Sequence, residues 1–112
     1  MKLSAEFFRL PYRFDVERMV EEVSGIPESS WIPHPDHHRG NTALPLISLR
    51  GEDNDLFHGP MQTTPHLARL EYIQQVIASL GEVYGRSRLM RLGPCCEVPL
   101  HTDTNYHWYN RV

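Results

Sequence analysis

RSRLMRLGPCCEVPLHTDTNYHWYNRV, residues 86–112, decides how this chain is read. Arg86, Arg88 and Met90 alternate with Ser87, Leu89 and Arg91, the period of two that a strand imposes by sending successive side chains to opposite faces. The spacing predicts a strand with one cationic face, a turn at Gly93-Pro94, a second strand over 97–101 and the start of another over 108–112. Within it, PLHTD puts His101 and Asp103 two positions apart. On a strand such residues share a face, so an imidazole and a carboxylate there reach one cation at about 2.0–2.2 Å each. A third ligand, normally another His, would complete the facial triad that leaves open positions on Fe(II). The pair alone is common by chance, and its plain alternative is an exposed loop His beside a turn Asp.

Upstream, Thr64-Pro65 opens the clearest helical pattern, with Thr64 as N-cap and Pro65 at the first helical position. Leu67, Leu70, Ile73, Ile77 and Leu80 keep the helical period and Gly81 supplies the stop, which predicts one helix over 65–80. An earlier helix follows Asp15 as N-cap, carries Val16, Met19, Val20 and Val23 on one face, and ends at Gly25 before Ile26-Pro27. Two apolar segments read as strands: 5–10, closed by Pro11, and 43–49 (ALPLISL), whose Pro45 belongs on an edge or at a bulge. Residues 27–42 and 50–64 are expected as long polar loops, a length that compact domains reserve mostly for function. The expected order is strand, helix, strand, helix, then a run of strands.

The bulk properties narrow the classes. A chain of 112 residues holds one domain at most. A formal net charge of −3 and a pI near 6.1 supply no basic excess for nucleic acid. No apolar run approaches the roughly 20 residues that span a bilayer, so no membrane partner is expected. MKLSAEFFRL has no apolar core or small-residue cleavage site of a secretory signal. The only two cysteines, Cys95 and Cys96, are neighbours and cannot tie distant segments together, which suits a reducing compartment and a cytoplasmic location.

The lead-in to His101 and Asp103 resembles the metal-site segment of the aspartyl/asparaginyl β-hydroxylase-like family of Fe(II)/2-oxoglutarate dioxygenases. The likeness rests on an R-x-R strand (Arg86, Arg88), an L-x-P turn (Leu92, Pro94), a strand ending H-x-D and an aromatic-rich loop leading to Arg111. Trp31 and His34 in a W-x-x-H arrangement, the strand ALPLISLRG and the helix TTPHLARLEYIQQVIASLG agree in order. The family commonly has Gly directly after the turn Pro, where this chain has Cys95, so a φ > 0 position would carry a modest steric cost here.

The resemblance implies a fold that is mainly β with two flanking α-helices, a partial double-stranded β-helix of the jelly-roll, cupin-like kind. Residues 1–112 would form a single incomplete dioxygenase domain, with strand, helix and loop regions over 1–85 and the start of the metal-binding core over 86–112. It implies Fe(II) held by His101 and Asp103, with the third His expected beyond Val112. It also implies 2-oxoglutarate anchored by Arg111 or an Arg soon after, whose planar fork pairs a carboxylate. The substrate class is an amino acid, free or within a peptide, and Trp31, His34, Asn105 and Trp108 are the candidates to line its entrance.

Other readings stand beside this one. The chain as a non-catalytic fragment would associate with another copy or another chain through open strand edges. His34, His37 and His38 have a spacing that suggests zinc, but Pro33 and Pro35 enforce irregular backbone and favour a surface loop. Arg88 is expected to line a pocket or pair with Glu97, while Cys95 and Cys96 read as small packing residues.

Overall fold

The computed structural model describes residues 7, 9–34, 39–81 and 84–101. Its organising element is the apolar run NTALPLISL, which forms strand β2 (Asn41–Leu49) and is buried along nearly its whole length. Such a run needs cover on both faces and partners on both edges. On one edge it pairs antiparallel with β4 (Ser87–Leu92), and on the other with β1 (Ile32–Pro33) at its start and β3 (Met61–Thr63) at its end. The result is a four-stranded antiparallel sheet with β2 at its centre.

Pro45 sits in that central strand because the ladder breaks there. The pairing with β4 shifts between Pro45 and Ile47, leaving Leu46 as the extra residue of a bulge. The carbonyls of Pro45 and Leu46 both meet Thr64, at 2.7 Å from its hydroxyl and 3.0 Å from its N–H. In a regular strand neighbouring carbonyls point to opposite sides. The bulge also resets the alternation: Leu44 opposes Leu89 and Ile47 opposes Ser87, so both face the same way.

Three helices lie on that face. Helix α1 (Val16–Ser24) starts where Asp15 accepts from the Arg18 N–H at 3.1 Å. Of its apolar stripe, Met19 and Val23 pack against the core, whereas Val16 and Val20 are exposed. Gly25 ends it with right-handed backbone, φ −80°, rather than the left-handed stop expected of a glycine there. Thr64 caps α2 (Pro65–Ala68) by accepting from Leu67 N–H, and Gly81, at φ 66°, closes the region after α3 (Glu71–Ser79).

The single helix expected over 65–80 is thus two. Leu70 leaves helical backbone at φ −114°, ψ 73°, and α3 starts afresh after it. The new N-terminus is capped from another helix: the Glu22 carboxylate accepts the N–H groups of Tyr72 at 2.6 Å and Ile73 at 3.1 Å. A carboxylate on those donors satisfies orphan groups and complements the helix dipole. The apolar period survives the break, with Leu67, Leu70 and Ile73 all buried beside Ile26, Leu44, Leu46 and Ile47.

Other expectations change as well. The loop expected over 27–42 contains a 3₁₀ turn (Glu28–Ser30) and strand β1, and the one over 50–64 ends in β3. Residues 97–101 are irregular rather than a strand. Of the strand expected over 5–10, Arg9 and Leu10 are irregular and most of the rest lies outside the described residues, as does 108–112. The architecture is a helix-backed antiparallel sheet of mixed α and β. No described helix is long and apolar enough to cross a membrane.

Candidate functional site

The sheet face away from the helices carries the charged side chains of Arg86 and Arg88. Register places Asn41 opposite Leu92, Ala43 opposite both Met90 and Ile32, and Pro45 opposite Arg88, all on that second face. Near Arg88 the face is roofed by the segment after β2. That segment is tightly built: Arg50 and Gly51 turn through positive φ, the Ser48 hydroxyl donates to Glu52 O at 2.5 Å, and Asn54 Nδ2 donates to Leu49 O at 3.0 Å. These bonds bring Asp55 over the sheet. A small cleft beneath it lies between Ile32, Pro33, Ala43 and Pro45 on the apolar side and His34, Asp55, Arg86 and Arg88 on the polar side.

Two guanidiniums converge on one carboxylate oxygen there. Arg86 Nη1 donates to Asp55 Oδ1 at 2.5 Å, and Arg88 Nη1 donates to the same oxygen. Arg86 also donates to the Asp55 carbonyl at 3.0 Å and lies 4.0 Å over the Phe57 ring. All three charged side chains are mostly buried, with Arg88 25% and Asp55 31% exposed. Arg88 lines a pocket, as one of its two expected roles requires, but its ion partner is Asp55 and not Glu97. The alternation of RSR placed both arginines on one face; nothing in the loop composition pointed to Asp55 as the residue that joins them.

His34 lines this cleft, and its N–H donates to Asn41 O at 2.9 Å. Trp31 does not: it packs against the core while Arg91 lies 4.3 Å over its ring. Arg91 grips Glu28 through two bonds of 2.9 and 2.6 Å and donates from Nε to Thr42 Oγ1 at 3.2 Å. Hydrogen bonding from Arg91, helped by its charge and opposed by slight desolvation, holds the Glu28 carboxyl below the usual carboxylate range.

The approach to the expected metal pair is described as far as His101. The turn that precedes it places Cys95 at φ 57°, a left-handed conformation that glycine adopts without penalty. Cys96 packs back on Gly40, where an added Cβ would lie 2.4 Å from its sulfur, and Gly93 N–H donates to Gly40 O at 2.8 Å. His101 is exposed, with Nδ1 2.7 Å from the Pro99 carbonyl. A carbonyl only accepts, so Nδ1 carries the proton and, in the neutral ring, Nε2 carries the lone pair. Metal-binding histidines are commonly oriented in this way, so the imidazole fits that use. Asp103, Asn105, Trp108 and Arg111 lie outside the described residues, as do His37 and His38. Among the described residues no three His, Cys, Asp or Glu side chains gather as a metal group.

Compared with protein-family models, with curated proteins and with solved structures, the chain matches none.

Proposed function

We propose that this chain belongs to an Fe(II)/2-oxoglutarate-dependent hydroxylase acting on an amino acid, free or within a peptide. The observation that carries this reading is His101, whose Nδ1 is committed to the Pro99 carbonyl so that Nε2 bears the lone pair. Cys95 at φ 57° adds support, because it stands where the resembled family has glycine and takes a backbone conformation that suits glycine. His101 and Asp103 would hold the metal with a third ligand from further residues, and Arg111 or a later Arg would pair the far carboxylate of 2-oxoglutarate. When bound, iron and its cosubstrate supply the oxidising power to hydroxylate an unactivated C–H bond.

In this reading the sheet is one wall of a double-stranded β-helix and its second face is the inner wall. Met90 and Leu92, each 47% exposed on that face, are then positions that further strands and substrate cover. His34, Asn105 and Trp108 contribute to the substrate side, whereas Trp31 supports β1 from the covered side.

The test is an anaerobic titration of Fe(II) and 2-oxoglutarate followed by visible absorption. A charge-transfer band of the chelated metal is expected, abolished by His101→Ala and retained by His37→Ala. Binding that survives His101→Ala but disappears with His37→Ala would replace this reading with a zinc-type loop site.

A second reading has its own observation. Among the described residues β4 pairs only with β2, and Val98 and the fully exposed Leu100 follow Met90 and Leu92 along the same region. An open edge flanked by apolar side chains favours association with another chain. In that case the chain sediments as a dimer or larger, and Leu100→Lys returns it to a monomer without any metal dependence.

A further inference from the structure

We infer that Cys95 and Cys96 form a reversible redox site, a dithiol of neighbours that closes to a ring disulfide and thereby loosens the turn after β4 from the start of β2. This inference uses the turn alone and does not depend on the iron reading. The chain's only two cysteines meet here, both as free thiols, in different surroundings. Cys95 is exposed, whereas Cys96 is half-buried. The Cys96 sulfur lies against two glycines: a Cβ added at Gly40 would sit 2.4 Å from it, and one added at Gly93 would sit 3.6 Å away. The thiol also donates to the Pro94 carbonyl at 3.4 Å. Beside it the Gly93 N–H donates to Gly40 O at 2.8 Å, which continues the β2–β4 ladder past Asn41 and Leu92. An accessible thiol with a second thiol at hand is the arrangement that redox-sensing cysteines use, the first reacting and the second resolving.

The oxidant is a low-molecular-weight disulfide. Cys95, as its thiolate, attacks one sulfur of that molecule; the S–S bond breaks, and a small thiolate leaves with the electron pair and takes up the proton that Cys95 released. Cys96 then attacks the Cys95 sulfur of the mixed disulfide and expels the second small thiolate, which is protonated in turn. Two protein thiols are oxidised to one ring disulfide, and one small disulfide is reduced to two thiols. Neighbouring Cα atoms are about 3.8 Å apart across a trans peptide, short of the roughly 4.4–6.8 Å of ordinary disulfides. The ring is therefore strained and easily reduced again, which makes it a switch rather than a staple. In reaching for the exposed Cys95, the Cys96 sulfur leaves its place against Gly40, and the contact between the two glycines opens.

The experiment equilibrates the chain in metal-free buffer with mixtures of oxidised and reduced glutathione and reads its mass and its ¹H–¹⁵N correlation spectrum. The native chain is expected to lose two hydrogens without becoming cross-linked, while the amides of Gly40, Asn41, Gly93 and Cys96 shift. Dithiothreitol should restore both mass and spectrum. Half-conversion should need glutathione mainly in its oxidised form, whereas a structural disulfide persists in an excess of the reduced form. Cys96→Ser should stop at the glutathione adduct of Cys95. Cys95→Ser, which keeps only the sheltered thiol, should form its adduct at least about tenfold more slowly than Cys96→Ser. A native chain that ends as a stable glutathione adduct or a disulfide-linked dimer, a ring that forms without moving Gly40 and Gly93, or equal rates in the two serine variants would each overturn the proposal.

Discussion

The two faces of the sheet use the same strands for opposite purposes. On the helix side Leu44, Ile47 and Leu89 meet Leu67, Leu70 and Ile73, and Leu44 and Leu70 have no exposed surface at all. On the other side, one residue along each strand, Pro45 faces Arg88 and Ala43 faces Met90, beneath a roof held by hydrogen bonds and ion pairs. Apolar packing is concentrated on the first face and charged side chains on the second. Burying charge is costly unless it is paired, and on the second face Asp55 pairs with both Arg86 and Arg88. The contrast teaches where to look for function: at the face that carries buried charged side chains rather than an apolar core.

The largest effect that tests this contrast is a cavity. Leu44→Ala removes a fully buried side chain from the helix-side core, and urea unfolding should show a loss of about 2–5 kcal/mol. Met90→Ala, on the neighbouring face of the same pair of strands, should stay within roughly 0.5 kcal/mol of the native chain. Equal losses would mean that both faces are packed cores, and the division proposed above would collapse.

A smaller effect tests how the helix face is assembled. Glu22 reaches from α1 to the first N–H groups of α3 and so joins two helices that the sequence separates by some fifty positions. Replacing it with Ala removes two charge-assisted bonds and leaves the α3 terminus uncapped, at a cost of about 1.5–3 kcal/mol. Hydrogen exchange should localise the loss to Tyr72, Ile73 and the turn after them. Loss spread evenly over the sheet would show that the two helices are not held as a unit.

Some of this was legible in the sequence and some was not, for identifiable reasons. The caps at Asp15 and Thr64, the alternation in β4 and the place of Pro45 at a bulge are local signals, and local signals travel well from sequence to fold. The break at Leu70 was not legible, because residues 67, 70 and 73 keep helical spacing across it and the cap that permits it comes from Glu22. Likewise β1 and β3 have two and three residues, too few for any period to register, and exist only because β2 offers them an edge. At the site, the shared face of Arg86 and Arg88 follows from their spacing. Asp55 belongs to a polar loop whose path depends on bonds to Ser48 and Leu49, which no spacing rule encodes.

The smallest effect concerns the turn that leads from β4 toward His101. Cys95 holds φ 57°, a conformation that costs an ordinary L-residue about 1–2 kcal/mol, while glycine there would lose about 0.5–1 kcal/mol in chain entropy on folding. Cys95→Gly is therefore expected to stabilise the chain by up to about 1 kcal/mol, read as a higher urea midpoint at unchanged slope. Cys95→Ala, which keeps a Cβ, should give no such gain. Because the Cys95 side chain is exposed, neither change removes packing, and the pair of variants isolates the backbone alone. A destabilising Cys95→Gly would mean that the thiol makes a contribution of its own at this turn, and the region beside β4 would then belong with the packed face rather than with the charged one.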